Sequence, residues 1–383
     1  MERRFAVLIT LIGLGLLTNK TFAQTNSTTG ANTILTGVPF LQIAPDSRAG
    51  AMGDVGAATT PDMNSQHWNA AKYAFIESEM GVALSYTPWL RNLVDDINVA
   101  YLVGHKKLDD LQSFSASLRY FSLGDISFMS NEGTFQGTQS PNEFAFDVAY
   151  TRLLSDYFSG SVALRYIHSD LAPGQEGITP GNSYAADISF YYQNEMRVNR
   201  KESTISAGVA ITNIGSKISY TDGEQKDFIP TNLRLGVGYK TEMDRYNTIG
   251  FYFDINKLLV PTPALDTVGI FGDRYGEDKS PIAGIFSSFN DAPGGFSEEL
   301  QEVNLSFGAE YWYNKQFALR AGYFYEHENK GNRKYFSAGA GLKLNVFALD
   351  FSYLMPTEQN HPLANTLRFT LSFDFESFSN QRR

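Results

Sequence analysis

The side chains best suited to chemistry are sparse and poorly placed for it. Five histidines, His67, His105, His168, His327 and His361, are scattered along 383 residues. None is paired at the helical spacing that presents two imidazoles to one metal. His168-Ser169-Asp170 contains the three components of a nucleophilic triad, but consecutive residues cannot converge as a triad requires. The tripeptide reads instead as a strand running into a loop. Glu326-His327-Glu328 offers ligand types on what reads as a solvated connection. Asp266, Asp273, Glu277, Asp278, Asp291, Glu298 and Glu299 fall in one long connection without an EF-hand register. Cysteine is absent, which excludes a thiol nucleophile, a disulfide framework and cysteine-ligated zinc or iron–sulfur clusters. The sequence therefore predicts no catalytic residue, no metal and no cofactor. With 31 Lys plus Arg against 41 Asp plus Glu, a net charge of −10, it also lacks the basic footprint of a nucleic-acid binder.

If the residues do no chemistry, the elements that carry them hold the information. The chain starts Met1-Glu2-Arg3-Arg4, continues with an apolar run over residues 5–17 and reaches Thr21-Phe22-Ala23-Gln24. A basic start, a short apolar core and small residues before a cut between Ala23 and Gln24 predict a signal peptide over residues 1–23. The run is too short to span a bilayer as a helix. Its removal takes Glu2, Arg3, Arg4 and Lys20 and leaves the mature chain more acidic. Export without cysteine fits a bacterial envelope protein.

From about residue 79 onward one theme repeats: segments of roughly ten residues in which apolar and polar positions alternate, separated by turn residues. The last is clearest, with Leu367, Phe369, Leu371, Phe373 and Phe375 on one face and Arg368, Thr370, Ser372 and Asp374 on the other. Arg119, Asp147, Arg165, Asp187, Arg234, Asp254, Glu310, Arg320, Lys343 and Asp350 likewise occupy the polar phase of their segments. Segments of this length suit a tilted crossing of a hydrocarbon layer, with the apolar phase facing lipid and the charges facing a lumen. Those charges read as a structural ladder or a selectivity device, and their near balance of sign favours the ladder. Tyr86, Trp89, Tyr101, Tyr239, Tyr311, Trp312, Tyr325 and Tyr353 are expected in interfacial belts. Connections alternate long and short, the longest over residues 258–301. An all-β fold follows: a transmembrane barrel of about fourteen antiparallel strands over residues 79–383, with short turns in the periplasm and long loops outside.

The segment 24–78 breaks the alternation. It carries Arg48-Ala49-Gly50-Ala51-Met52-Gly53-Asp54-Val55-Gly56-Ala57-Ala58 and then Trp68-Asn69-Ala70-Ala71. Gly50, Gly53 and Gly56 read as backbone pressed against a neighbour, with Arg48, Trp68 and Asn69 packing beside them. A phosphate-cradling loop would need another spacing and a preceding strand. Roughly eight strands are filled by their own side chains and sixteen leave a channel, so residues 24–78 are expected to form a hatch inside the barrel.

Residues 50–58, Trp68-Asn69-Ala70-Ala71 and the strand count resemble the FadL-like superfamily of outer-membrane proteins, which implies a hatch-bearing barrel. More narrowly, Thr36-Gly37-Val38-Pro39-Phe40-Leu41, Ala44-Pro45-Asp46-Ser47-Arg48-Ala49-Gly50 and Gln66-His67-Trp68-Asn69 resemble the PorV (LptO) family of the type IX secretion system. Leu84-Ser85-Tyr86-Thr87-Pro88-Trp89-Leu90 and Leu118-Arg119-Tyr120-Phe121-Ser122-Leu123-Gly124 are similar to the same family. That resemblance implies a non-enzymatic outer-membrane component, embedded in outer-membrane lipid, that binds cargo bearing a C-terminal signal domain. It also implies association with a translocon barrel (SprA/Sov-like) and delivery of cargo to an attachment complex containing a PorU-like sortase. Phe271, Tyr275, Phe286, Phe289 and Phe296 in the long connection read either as partner anchors or as residues folded back into the barrel mouth. The rival function is a FadL-type channel for hydrophobic small molecules.

Overall fold

The computed structural model describes residues 32–375 except 92–93, 95, 130–134, 175–176, 222–225, 264–278 and 359–360. Ala23, Gln24, Phe271 and Tyr275 lie outside the described residues.

The alternating segments form β1 (Met80–Pro88), β2 (Asn98–Lys107), β3 (Gln112–Ser122), β4 (Ile126–Met129), β5 (Phe135–Gln139), β6 (Asn142–Ser155), β7 (Phe158–Asp170) and β8 (Gly181–Val198). They continue with β9 (Lys201–Gly215), β10 (Asn232–Glu242), β11 (Asn247–Leu258), β12 (Val303–Tyr313), β13 (Phe317–Tyr325), β14 (Lys334–Lys343), β15 (Phe347–Pro356) and β16 (Leu367–Asp374). All except β4 and β5 join one closed antiparallel barrel of fourteen strands, in which β1 pairs with β16 from Gly81↔Asp374 to Tyr86↔Phe369. Closure leaves no open edge to be satisfied in lipid. β4 and β5 form a separate hairpin within the long connection between β3 and β6. Their few residues do not sustain a period-two pattern long enough to register.

The pleat explains the sequence. In β3, Ser113, Ser115, Ser117 and Arg119 are buried while Phe114, Leu118 and Tyr120 are exposed on the outer wall. A slip of one residue would exchange the two sets. Cross-strand register lines up outer rows such as Leu84, Leu102, Leu118 and Phe146. The inward phase carries Arg119, Asp147, Arg165, Asp187, Asp254, Glu310, Arg320, Asp350 and Arg368, all buried. Arg234 and Asp374 are half-buried, and Lys343 is exposed at a strand end. Three of the aromatics expected in the belts turn inward instead, Trp89 among them, packed against the cluster of Val38, Phe40 and Leu41. Tyr101 is buried under Arg119, and Trp312 shares the inward phase of Glu310 and stacks with Arg320. A strand-end aromatic on the inward phase can serve a cation as readily as an interface.

Connections alternate as the sequence suggests. One barrel end carries the short turns, among them residues 156–157, 199–200 and 314–316. The other carries the long connections, including residues 259–302. The long-loop end is extracellular by the rule for such barrels. Residues 32–78 contain no strand, only the 3-10 turn Pro39–Gln42, the helical turns Ser47–Gly50 and Ser65–Trp68, and the 3-10 turn Ala70–Phe75. This segment runs through the lumen from the long-loop end, where Gly37 N–H donates to the Phe228 carbonyl, to the short-turn end, where Ser78 Oγ bonds Asp374.

Candidate functional site

The hatch meets the wall backbone to backbone. Gly53 has φ +69, and a Cβ there would stand 2.6 Å from the Tyr323 carbonyl oxygen, so both its conformation and its surroundings require glycine. Its N–H donates to Ser337 Oγ at 2.8 Å. Gly50 lies against the Arg368 guanidinium and Gly56 against the Trp68 ring, each too close for a side chain. The wall answers with its own glycines. Gly308, Gly322 and Gly339 face Met52, the Met52–Gly53 peptide and Ala51, while Gly208 and Gly236 face Ala57. These five wall glycines were not singled out from the sequence. Their signal was available: each lies in the inward phase of its strand beside at least one polar inward residue, Ser306, Arg320, Ser337, Ser206 and Arg234 respectively.

Charge locks the two surfaces together. Arg48 donates from Nε and Nη2 to the two Glu310 oxygens at 2.9 Å each, and from Nη1 to Asp62 at 2.8 Å. Glu310 also accepts Arg320 Nε at 2.8 Å, and Arg320 Nη1 reaches Asp350 at 2.6 Å. Asp62, Arg48, Glu310, Arg320 and Asp350 thus form one continuous alternation of charge from hatch to wall. A second centre is Arg165, held by Asp147 at 2.5 Å, by Asp187 at 3.0 Å and by Asn213. Arg119 donates to the carbonyls of Phe40, Leu41 and Ile43 and abuts His67 Nδ1. Arg234 lies over the Trp68 ring, 4.7 Å from its centroid. Asp254 accepts the Gly56 and Ala57 N–H groups at 2.7 and 2.8 Å.

Within the hatch, Asp46 caps the turn that begins at Ser47, accepting Ala49 N–H at 2.9 Å and Trp68 Nε1–H at 2.6 Å. Burial, reinforced by Asp62, pushes its carboxyl up to about 6. Asn69 ties the hatch to itself and to β8, donating to the Ala57 and Phe190 carbonyls. Lys72 is buried, with Nζ on the Gly56 carbonyl and Thr59 Oγ1 at 2.9 Å each, and burial draws it down to about 8. His67 is held well below the usual imidazole range by burial and by Arg119, Arg234 and Arg165. It is neutral and, with a guanidinium at Nδ1, carries its proton on Nε2.

The long-loop mouth is capped. Lys257 pairs with Glu299 at 3.0 Å and Glu302 at 2.6 Å, and Lys330 with Glu298 at 2.6 Å and Glu302 at 3.0 Å. Beside this polar seal, Val38, Phe40 and Leu41 pack with Val99, Phe121, Ile167 and Ile229 at the same end of the lumen. Two helices, Pro281–Ser287 and Phe296–Gln301, stand on the cap. Their orientation is inverted. Gly284 packs onto Phe228 and Glu299 is buried, while Ile282 and Phe286, four apart, and Phe296 and Leu300, four apart, face outward. Phe286 and Phe296 are each 75% exposed, and Phe289 is 49% exposed. Below the hatch, the short-turn end holds a cavity of about 370 Å³ lined by Asp62, Asn64, Glu77, Lys240, Lys343 and Asp374 among others.

The residues that first invited chemistry are placed apart. Ser169 faces the lumen and bonds Glu143 at 2.7 Å, while His168 on the opposite face bonds Asn182. Glu326 is engaged by Arg333 at 2.7 Å, and His327 Nδ1 caps Asn329 N–H. Among the described residues no three His, Asp or Glu side chains gather as a metal site.

A family model described as "Type IX secretion system protein PorV" matches residues 26–265. No curated protein matches the chain. Among solved structures, the toluene transporter TbuX of Ralstonia pickettii is 12% identical at a TM-score of 0.45, over 85% of this chain and 96% of that one. The CymD monoaromatic hydrocarbon channel is 11% identical at 0.49, over 86% and 97%. The Pseudomonas putida toluene transporter TodX is 11% identical at 0.47, over 90% and 99%. Likenesses this distant bear on neither ligand nor mechanism.

Proposed function

The chain belongs to the PorV family of type IX secretion system proteins, and from that membership we propose that it is a cargo-handling adaptor whose working surface is its extracellular cap. It is an outer-membrane barrel of the secretion machinery. In this reading it takes cargo with a C-terminal signal domain from the translocon barrel and passes it to the attachment complex with its PorU-like sortase. The observation that carries the reading is the pair of cap helices whose apolar faces point into solvent. An amphipathic helix normally buries that face, and apolar groups exposed together on a polar rim mark a docking surface. The lumen supports the same view, since hatch, ion pairs and cap fill the route that a small solute would take.

The test is the double variant Phe286→Asp/Phe296→Asp. Both side chains face water, so the barrel should fold and keep its heat-dependent gel mobility. Affinity purification from detergent-solubilised outer membranes is expected to lose the translocon barrel and signal-domain cargo that the parent protein retains. Full retention of both would overturn the assignment of the cap. A parent protein that recovers neither, and instead purifies with bound hydrocarbon, would favour the channel reading.

A further inference from the structure

We propose that the outer wall retains a phospholipid of the periplasmic leaflet at a fixed site, with an acyl chain lying in a trough across β1, β2 and β3 and the headgroup phosphate on Lys106. The trough follows from the register. Val82 on β1, Gly104 on β2 and Ala116 on β3 stand side by side in the outward phase. The outward row on one side of them is Leu84, Leu102 and Leu118, and the row on the other is Met80, Lys106 and Phe114. Gly104 and Ala116 are half-buried, whereas Leu102, Phe114 and Leu118 are 49%, 44% and 41% exposed. A floor of small residues is thus set back between two ridges of large ones, leaving a groove of about 470 Å³ on the lipid face. That volume lies within the range of small-ligand pockets.

Depth and charge name the occupant. The strand β2 has 10 residues, which at a tilt of about 40° cover about 26 Å along the bilayer normal, matching the apolar band that such barrels present to lipid. Gly104 then sits within the apolar layer, about 5 Å deeper than Lys106. Lys106 lies one residue from the short-turn end of β2, at the periplasmic boundary. It lines the groove and is exposed, and its ammonium has no hydrogen-bond or ion-pair partner among the described residues. Asp109, in the turn that follows, accepts from Leu111 N–H and the Gln112 amide instead. A lysine so placed runs its stem along apolar surface and holds its charge at headgroup level, where lipid phosphate is the available anion.

The other lipid source is excluded by depth. Lipopolysaccharide of the outer leaflet carries its phosphates at the long-loop end, separated from Lys106 by the whole apolar band. A groove without a cation would exchange its lipid as the rest of the wall does. Here the trough fits the chain and Lys106 fixes the head, so one lipid is held in place.

The test is native mass spectrometry of the purified protein, reconstituted in nanodiscs of phosphatidylethanolamine and phosphatidylglycerol and then transferred to detergent. The parent protein is expected to keep one phospholipid through washing that strips the rest. Ala116→Phe fills the trough from the lipid side and is expected to lose that lipid, and Lys106→Gln to lose the larger part of it. Ala186→Phe makes the same change in the outward phase of β8 and should retain lipid as the parent does. Heat-dependent gel mobility checks that each barrel is folded. A parent that keeps no phospholipid, equal retention in the parent and Ala116→Phe, or no loss in Lys106→Gln would overturn the inference. So would lipopolysaccharide, in place of phospholipid, carried by protein taken from native outer membranes and absent from its Ala116→Phe variant. The readout involves neither the cap nor cargo, so its failure would leave the proposed function standing.

Discussion

Removing the Glu310 carboxylate is the sharpest probe of the hatch. Glu310→Ala deletes three charge-assisted bonds at once: two from Arg48 at 2.9 Å and one from Arg320 at 2.8 Å. The side chain is only 3% exposed, so water cannot take its place. Breaking a buried ion pair by removing one partner costs about 3–5 kcal/mol, because the remaining charge is left uncompensated. Here each orphaned guanidinium keeps one carboxylate, Asp62 at 2.8 Å for Arg48 and Asp350 at 2.6 Å for Arg320. That places the expected loss at the lower end, about 3 kcal/mol, or roughly a hundredfold in the folded population. The assay is urea unfolding of the protein in lipid vesicles, followed by tryptophan fluorescence and gel mobility. Combining Glu310→Met with Arg48→Met removes anion and cation together, and should cost at least about 1 kcal/mol less than the two single losses summed. A loss below about 1 kcal/mol for Glu310→Ala, or strict additivity in the double variant, would refute the claim that this pair fastens hatch to wall.

Further expectations follow from the same geometry. Gly53→Ala meets both a positive φ and the Tyr323 backbone, and should lower the thermal midpoint by more than Ala51→Gly, which only removes a methyl from the same loop. Phe251→Arg, on the outer wall of β11 and 54% exposed, should cost about 2–4 kcal/mol if it lies near the bilayer midplane. Ser372→Arg, which faces the cavity at the short-turn end, should be mild, and equal effects would undo the strand phase. Lys72 titrates near 8 when folded against 10.5 when free, so between those values the unfolded chain binds the extra proton and stability rises with pH. Relative to Lys72→Met, the parent protein should gain stability from pH 8 to 10.5 and show no such relative slope from pH 5 to 7.

Sequence resolved the barrel because period two is a strong signal when sustained for ten residues and tied to charge. Leu367 to Asp374 could be read either as a strand of a soluble sandwich or as a spanning strand. The charges settled it, since Arg368 is buried in the lumen while Phe369 is 43% exposed. Strand ends were less legible. β8 runs to Val198, past the point where apolar alternation fails at Gln193-Asn194, because its pairing with β9 continues through backbone bonds and an exposed Arg197–Glu202 contact at 3.5 Å. The hatch path was not legible at all. Asn32, which fixes the direction of the segment, is an ordinary polar residue whose partners Glu298 and Asn329 lie far along the chain. The cap helices were hidden for a related reason: Phe286 and Phe296 were visible as aromatics, but the inverted face appears only once Gly284 and Glu299 are seen to turn inward.

The dimensions of the barrel decide what its lumen can be for. Fourteen strands spaced about 4.8 Å apart and tilted about 40° give a backbone radius near 14 Å. Inward side chains reduce the free bore to a radius of roughly 9 Å even with the hatch withdrawn. A folded domain of about 100 residues has a radius of gyration near 13 Å. A folded domain of that size therefore cannot pass through this lumen. The buried charges point the same way. A conducting pore leaves its lining charges facing water, whereas Arg48, Arg165 and Arg320 are spent on carboxylates of the chain itself. On the cap, by contrast, Ile282, Phe286, Phe296 and Leu300 stay exposed.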